Sequence, residues 1–219
     1  MNTDLDSLDT GPDWLTVTAK GYQHVERLRR QGDRYIHGLG QSKPWRWLGY
    51  VGRRFHDPDG RGGCAYGEMY GGDMGVFQAW GTLANLAGTG IVCGERFWQK
   101  GDPVLLPAMG PKVTRCDLQV TVLHKTPTPS IRDILDELPR DAHHFSAIVP
   151  VNNEGGTLYI GHRASDIFGR LYDKGSQLGG DIPPCYLWRY EVEYKRGPAA
   201  AIAASVWGPC VNTEDRRSI

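Results

Sequence analysis

Paired cysteines are missing from this chain. Its five, Cys64, Cys93, Cys116, Cys185 and Cys210, are odd in number and show no C-x-x-C spacing. That excludes a zinc finger, a thioredoxin motif and a secreted disulfide framework, and implies a reducing cytoplasm. Also missing is any apolar run near the roughly 18 residues that a transmembrane helix needs. The N-terminus, MNTDLDSLDTGPDW, carries four Asp and no basic residue, so it lacks the charged start of a secretory signal. G-x-S-x-G, a Walker A loop and G-x-G-x-x-G before a helix are all lacking. The Gly-rich stretch 60–75 has no Lys-Ser/Thr and reads as turns. His143 and His144 are adjacent rather than spaced about a hydrophobic residue, so a two-histidine metal motif is absent, and the pair reads as a loop or strand start. Net charge is absent too: 25 Lys+Arg balance 25 Asp+Glu, which taken alone counts against a nucleic-acid binder.

What is present points elsewhere. The 219 residues are 40% hydrophobic and 23% charged, enough to bury a core without staples. The 29 Gly and 14 Pro favour strands and turns over a helical bundle. Charge is distributed unevenly. Residues 20–61 hold ten Lys/Arg against four acids, interleaved with Tyr22, Tyr35, Trp45, Trp47, Tyr50 and Phe55. Cations that neutralise phosphates, mixed with rings that stack on unpaired bases, suit a DNA-binding surface. Arg27, Arg29, Arg30, Arg53 and Arg54 are its candidate phosphate contacts, and Trp45 and Trp47 its stacking rings. The same residues also describe a solvated basic helix followed by an aromatic-rich strand.

Periodicity places a first strand at DWLTVT (13–18) and a short amphipathic helix at 21–30, with Tyr22, Val25 and Leu28 on one face. RWLGYVGRRF, CAYGEMY and GVFQAW are strand candidates, and TLANLAG (82–88) a short helix. VTRCDLQVTVL (113–123) is the clearest strand. PSIRDILDEL (129–138) reads as a helix, HFSAIVPV, TLYIG, FGRLYDK and YLWRYEVEY as strands, and GPAAAIAASV as the start of a last helix. The expected fold is α+β: a single domain over 13–206 with a central, mainly antiparallel sheet flanked by helices, and flexible termini at 1–12 and 207–219.

Alternation along TRCDLQVTV puts Arg115, Asp117, Gln119 and Thr121 on one face; along YLWRYEVEY it groups Arg189, Glu191 and Glu193. Were the two strands neighbours, Asp117 would approach Glu191 or Glu193, a set of hard oxygens suited to Mg²⁺ or Mn²⁺. An ordinary half-solvated sheet alternates in the same way. If FGRLYDK is extended, Arg170, Tyr172 and Lys174 share a face. Two cations beside a phenol favour the phenolate and hold a phosphodiester against it. Tyr172 also reads simply as a strand aromatic with basic neighbours.

The order TRCDLQVTV, then TLYIGHRASDIFGRLYDKGSQ, then WRYEVEYKRGPA resembles the Rep_trans family of rolling-circle replication initiators of plasmids and filamentous phages, which are related to conjugative relaxases. The family patterns are tRxDlavD, lYiGsrxSdxfxRxYdK and RxElexKr, and DWLTVT is similar to its first strand. The resemblance covers most of 13–200. It implies Tyr172 as the nucleophile that forms a 5′-phosphotyrosine and frees a 3′-OH, with Arg170 and Lys174 orienting phosphate. It implies a Mg²⁺ or Mn²⁺ ion on Asp117 and Glu191, with Glu193 or a phosphate oxygen completing the shell, because Thr121 stands where the pattern has a second Asp. The implied partners are origin DNA, duplex and locally melted, a host helicase and polymerase, and a second subunit; no membrane is implied. A conjugative relaxase with the same chemistry and a non-catalytic origin-binding regulator are the alternatives. The chain ends soon after the last motif, where many relatives continue, and so reads as a compact phage version or a truncated product.

Overall fold

The computed structural model describes residues 5–36, 42–58, 61–88, 111–139, 144–150, 155–179 and 182–207. The fold is α+β, an antiparallel sheet flanked by helices, as the periodicity predicts. The chain divides into two compact units, a larger one of residues 12–116 and 195–219 and a smaller one of 1–11 and 117–194. β1 (Leu5–Lys20) and β6 (Lys112–His124) each contribute residues to both units.

In the larger unit α1 (Tyr22–Ile36) follows β1, then come β2 (Lys43–Trp47), β3 (Tyr50–His56), β4 (Gly62–Glu68), β5 (Met74–Gly81) and the helix α2 at 82–88. The strand order is β2-β3-β4-β5-β1, with antiparallel pairing throughout. The last helix, α5 (Arg196–Trp207), also belongs here. Gly21, at φ +91°, turns β1 into α1, and its carbonyl accepts from the His24 and Val25 amides. Val25 and Leu28 of α1 then bury against Leu15, Val17, Cys64, Phe77 and Ala79. Gly75 permits that approach, since a Cβ there would lie 3.0 Å from Val25 Cγ1. Tyr22, expected on the buried face, is instead exposed, because it is the first helical residue and precedes the packed turns.

The run 46–55, expected as one strand, is a hairpin. Leu48 (φ +47°) and Gly49 (φ +89°) form a two-residue turn with both central residues left-handed. Leucine is a poor marker of such a turn, so the break was hidden in the sequence. β1 also begins earlier than expected: residues 5–12, assigned to a loose tail, are strand from Leu5 onward.

The smaller unit holds α3 (Ile131–Glu137), β7 (Phe145–Ile148), β8 (Thr157–Ile160), β9 (Ile167–Asp173), α4 (Lys174–Leu178) and β10 (Leu187–Lys195). From β6 the order runs β6-β10-β9-β8-β7. α3 starts at a capping box in which the Ser130 hydroxyl accepts from the Asp133 amide at 3.3 Å and Asp133 accepts from the Ser130 amide at 2.9 Å. Ile131, Leu158 and Trp188 form its apolar core. His144 directly precedes β7, at the expected strand start, and His143 lies outside the described residues. No described helix is long and apolar enough to cross a membrane.

Candidate active site

Register decides which polar side chains of the smaller unit meet. β9 and β10 pair antiparallel with Arg170 opposite Glu191 and Tyr172 opposite Arg189. Directly opposed residues share a face, so Arg170 and Glu191 form a cross-strand ion pair, with Arg170 Nη2 donating to Glu191 Oε1. The diagonal neighbour, Tyr172, donates its hydroxyl to the other oxygen, Glu191 Oε2, at 3.2 Å. From β6, Asp117 Oδ2 lies 3.8 Å from the same Arg170 Nη2. Asp117, Glu191 and Glu193 are 0%, 3% and 7% exposed. Carboxylates so buried are tolerated only when paired, and the guanidinium supplies part of that pairing.

A polar ladder continues along the face. Arg189 Nε donates to Thr121 Oγ1 at 2.8 Å, Thr121 donates to Gln119 Oε1 at 2.5 Å, and Gln119 Nε2 donates to Asp9 Oδ2 at 3.0 Å. The hydroxyl of Thr121 thus acts as a relay where a second Asp was the family pattern. Asp9 escaped the sequence reading because it sat in the assumed tail; its only signal was the acid-rich run before Trp14. Arg115, expected beside Asp117, has its guanidinium 4.9 Å from the ring centre of Trp14.

Lys174 departs from the expected extended face. Asp173 ends β9 and caps α4, accepting from the Ser176 amide at 3.0 Å, the Ser176 hydroxyl at 2.8 Å and the Cys185 amide at 2.7 Å. The chain therefore turns into a helix at Lys174. Its ammonium still reaches Tyr172, lying 5.7 Å from the ring centre, and donates to Gln177 at 2.7 Å. Asp173, buried and thrice bonded, is the positioning residue that the sequence reading missed.

Asp117 and Glu191 both approach Arg170 Nη2, so their carboxylates lie close enough to share one cation, a place the guanidinium takes here. Magnesium is commonly held by one or two carboxylates plus water and substrate phosphate, so the residue types fit. Glu193 lies two residues along on the Glu191 face of β10, and no group of three His, Cys, Asp or Glu side chains gathers among the described residues.

The residues proposed to grip DNA lie in the larger unit and divide in two. On α1, Glu26 takes both Arg29, at 2.8 Å, and Arg30, at 3.0 Å, and these bonds hold its carboxyl down at about 2. Arg27 lies on the same helix. On the β2–β3 hairpin, Arg53 and Arg54 are exposed and Trp45 and Trp47 stack with centroids 6.2 Å apart. Burial pushes the Cys64 thiol up to about 12, as suits an inert core residue.

No protein-family profile matches the chain, and no curated protein matches its sequence. Among solved structures, it is similar to a rolling circle replication initiator protein from Geobacillus stearothermophilus. The TM-score is 0.59 at 19% identity, covering 94% of this chain and 81% of that one. That likeness is one of fold.

Proposed function

We propose that the chain initiates rolling-circle replication by binding an origin and nicking one strand through Tyr172. The observation that carries this reading is the hydrogen bond from the Tyr172 hydroxyl to Glu191 Oε2. It places a proton acceptor on the nucleophile before substrate arrives. As the phenolic oxygen attacks phosphorus, its proton passes to Glu191. The bond from phosphorus to the 3′-oxygen breaks, and that oxygen takes a proton from solvent. The products are a 5′-phosphotyrosine and a free 3′-OH for a host polymerase. Arg170 fixes the orientation of Glu191 through the other carboxylate oxygen, and Lys174 adds positive charge beside the ring where phenolate develops. Both cations would also orient the oxygens of an incoming phosphate.

A phosphodiester approaching Asp117, Glu191 and Glu193 meets three acids against the single guanidinium of Arg170, which stands between two of them. Asp117 and Glu191, with Glu193 beside them, would hold Mg²⁺ or Mn²⁺, which when bound neutralises phosphate charge in the transition state. The basic face of residues 20–61 would hold the origin, and a helicase and a second subunit would serve later steps. A transfer origin would be cut by the same chemistry.

The test incubates the protein with Mn²⁺ and supercoiled DNA of its own replicon and assays a covalent tyrosyl adduct. Tyr172→Phe should abolish the adduct while folding and origin binding stay near wild type. An adduct retained in that variant would move the nucleophile to Tyr159 or Tyr190.

A further inference from the structure

On one side of the larger unit's strands Leu15, Val17, Phe77 and Ala79 meet α1, and on the other Tyr50, Ala65 and Val76 are buried as well. Alternation sends the neighbours of the α1-facing set to that other face, and there the register lines up a different set. His56, Gly63, Trp80 and Trp14 form one row across β3, β4, β5 and β1. Trp14 and Trp80 stack with centroids 5.4 Å and planes 22° apart, and His56 meets Trp80 edge-on at 5.7 Å. Arg115 lies over the far ring of this row. On the same face, toward the β2 edge, Trp45, Trp47 and Tyr50 stack in succession.

Two features exceed what a sheet needs for itself. Glycine inside a strand weakens it and marks close approach of another group. A Cβ at Gly63 would come within 2.4 Å of the Trp80 ring, and one at Gly67 within 2.9 Å of the Trp45 ring. These glycines let both indoles, each partly exposed, lie against the backbone. The second feature is charge. Lys43 and Arg54 are directly opposed across the β2–β3 ladder, both exposed, and no acid among the described residues pairs with either. Like charges directly opposed destabilise a sheet, and an anionic occupant removes that penalty.

We infer that this face is a platform for single-stranded DNA, with bases stacking on Trp14–Trp80 and Trp45–Trp47 and phosphates meeting Lys43, Arg54 and Arg115. Rings favour unpaired bases because a duplex hides its base faces. The choice of DNA rests on the proposed nicking function; the stacking geometry does not.

The test titrates the full chain with an oligothymidylate of about 15 nucleotides and reads tryptophan fluorescence. It is done in EDTA and in the Tyr172→Phe background, so that binding is separated from cleavage. Trp80→Ala and Trp45→Ala should each weaken binding about tenfold or more, whereas Trp→Phe at either position should stay within about threefold. Lys43→Ala and Arg54→Ala should each flatten the log–log salt dependence by roughly 0.7. Arg54→Glu, at an exposed position, keeps the test decisive where an indole variant does not fold, and should weaken binding about tenfold or more. Variants that fold and bind like wild type would overturn the platform, as would equal, ring-independent affinity for duplex. Ring-dependent self-association without oligonucleotide binding would assign the face to a second copy and overturn it too. A failed adduct assay with intact, ring-dependent binding leaves the platform standing and removes only the nicking function.

Discussion

The two compact units bury different chemistry. The smaller holds Asp117, Asp173, Glu191 and Glu193 out of solvent, with Glu191 against Tyr172, whereas the larger buries Leu15, Val17, Leu28 and Phe77 and keeps most of its charge outside. A hydrocarbon core loses stability in proportion to the volume removed. A buried ionic cluster loses it when one partner is taken away and the other is left charged. Side chains of similar exposure are therefore replaceable on different terms: the smaller unit has an apolar core of Ile131, Leu158 and Trp188, but its buried acids depend on pairing rather than volume.

The sharpest contrast comes from single truncations. Phe77→Ala should cost roughly 3–5 kcal/mol in urea unfolding, through the cavity left between α1 and β5. Arg170→Ala removes far less apolar contact, yet it strips the guanidinium from Asp117 and Glu191, and should cost about 3 kcal/mol. A loss below about 1 kcal/mol would show that the acids do not depend on that pairing. Arg170→Ala should also lower adduct yield, because Glu191 loses its orientation.

A smaller effect is expected at Asp173. Asp173→Ala should cost about 1–2 kcal/mol through the lost cap. It should reduce adduct formation by more than that stability loss explains, because Lys174 is no longer delivered to the Tyr172 ring. Equal adduct yield would reduce Asp173 to a fold-stabilising cap.

The smallest effect is a pH dependence confined to α1. The Glu26 carboxyl is lowered by its bonds to Arg29 and Arg30, so its contribution is present above the ordinary value of 4.5 and is lost as pH falls toward about 2. His24 is lowered by burial and by the charge of Arg27. Its contribution is present above its ordinary value of 6.5 and declines as pH falls below that. Both act in the same direction, so hydrogen exchange should show α1 losing protection on acidification. Glu26→Gln should remove the lower part of the dependence.

Much of the arrangement was legible because alternation is local. In β6, β9 and β10 a period of two is enough to sort Asp117, Tyr172 and Glu191 onto polar faces, whatever lies beside each strand. The helix at 82–88 and the start of α5 were legible from periodicity for the same reason. The turn at Leu48–Gly49 was not, since neither the pattern nor leucine itself announces two left-handed residues.

By itself, the sequence determined the strands, their faces and the residue types each face carries, because these depend on neighbours a few positions apart. Only the tertiary structure decided that Arg170 stands opposite Glu191, that Asp9 joins Gln119, that Glu26 occupies Arg29 and Arg30, and that Trp14 lies on Trp80. The pairs across strands are fixed by register, and register is set by how whole strands bury their faces together. The helix pair is local in spacing, yet an exposed acid beside several arginines chooses among them only once the side chains are placed.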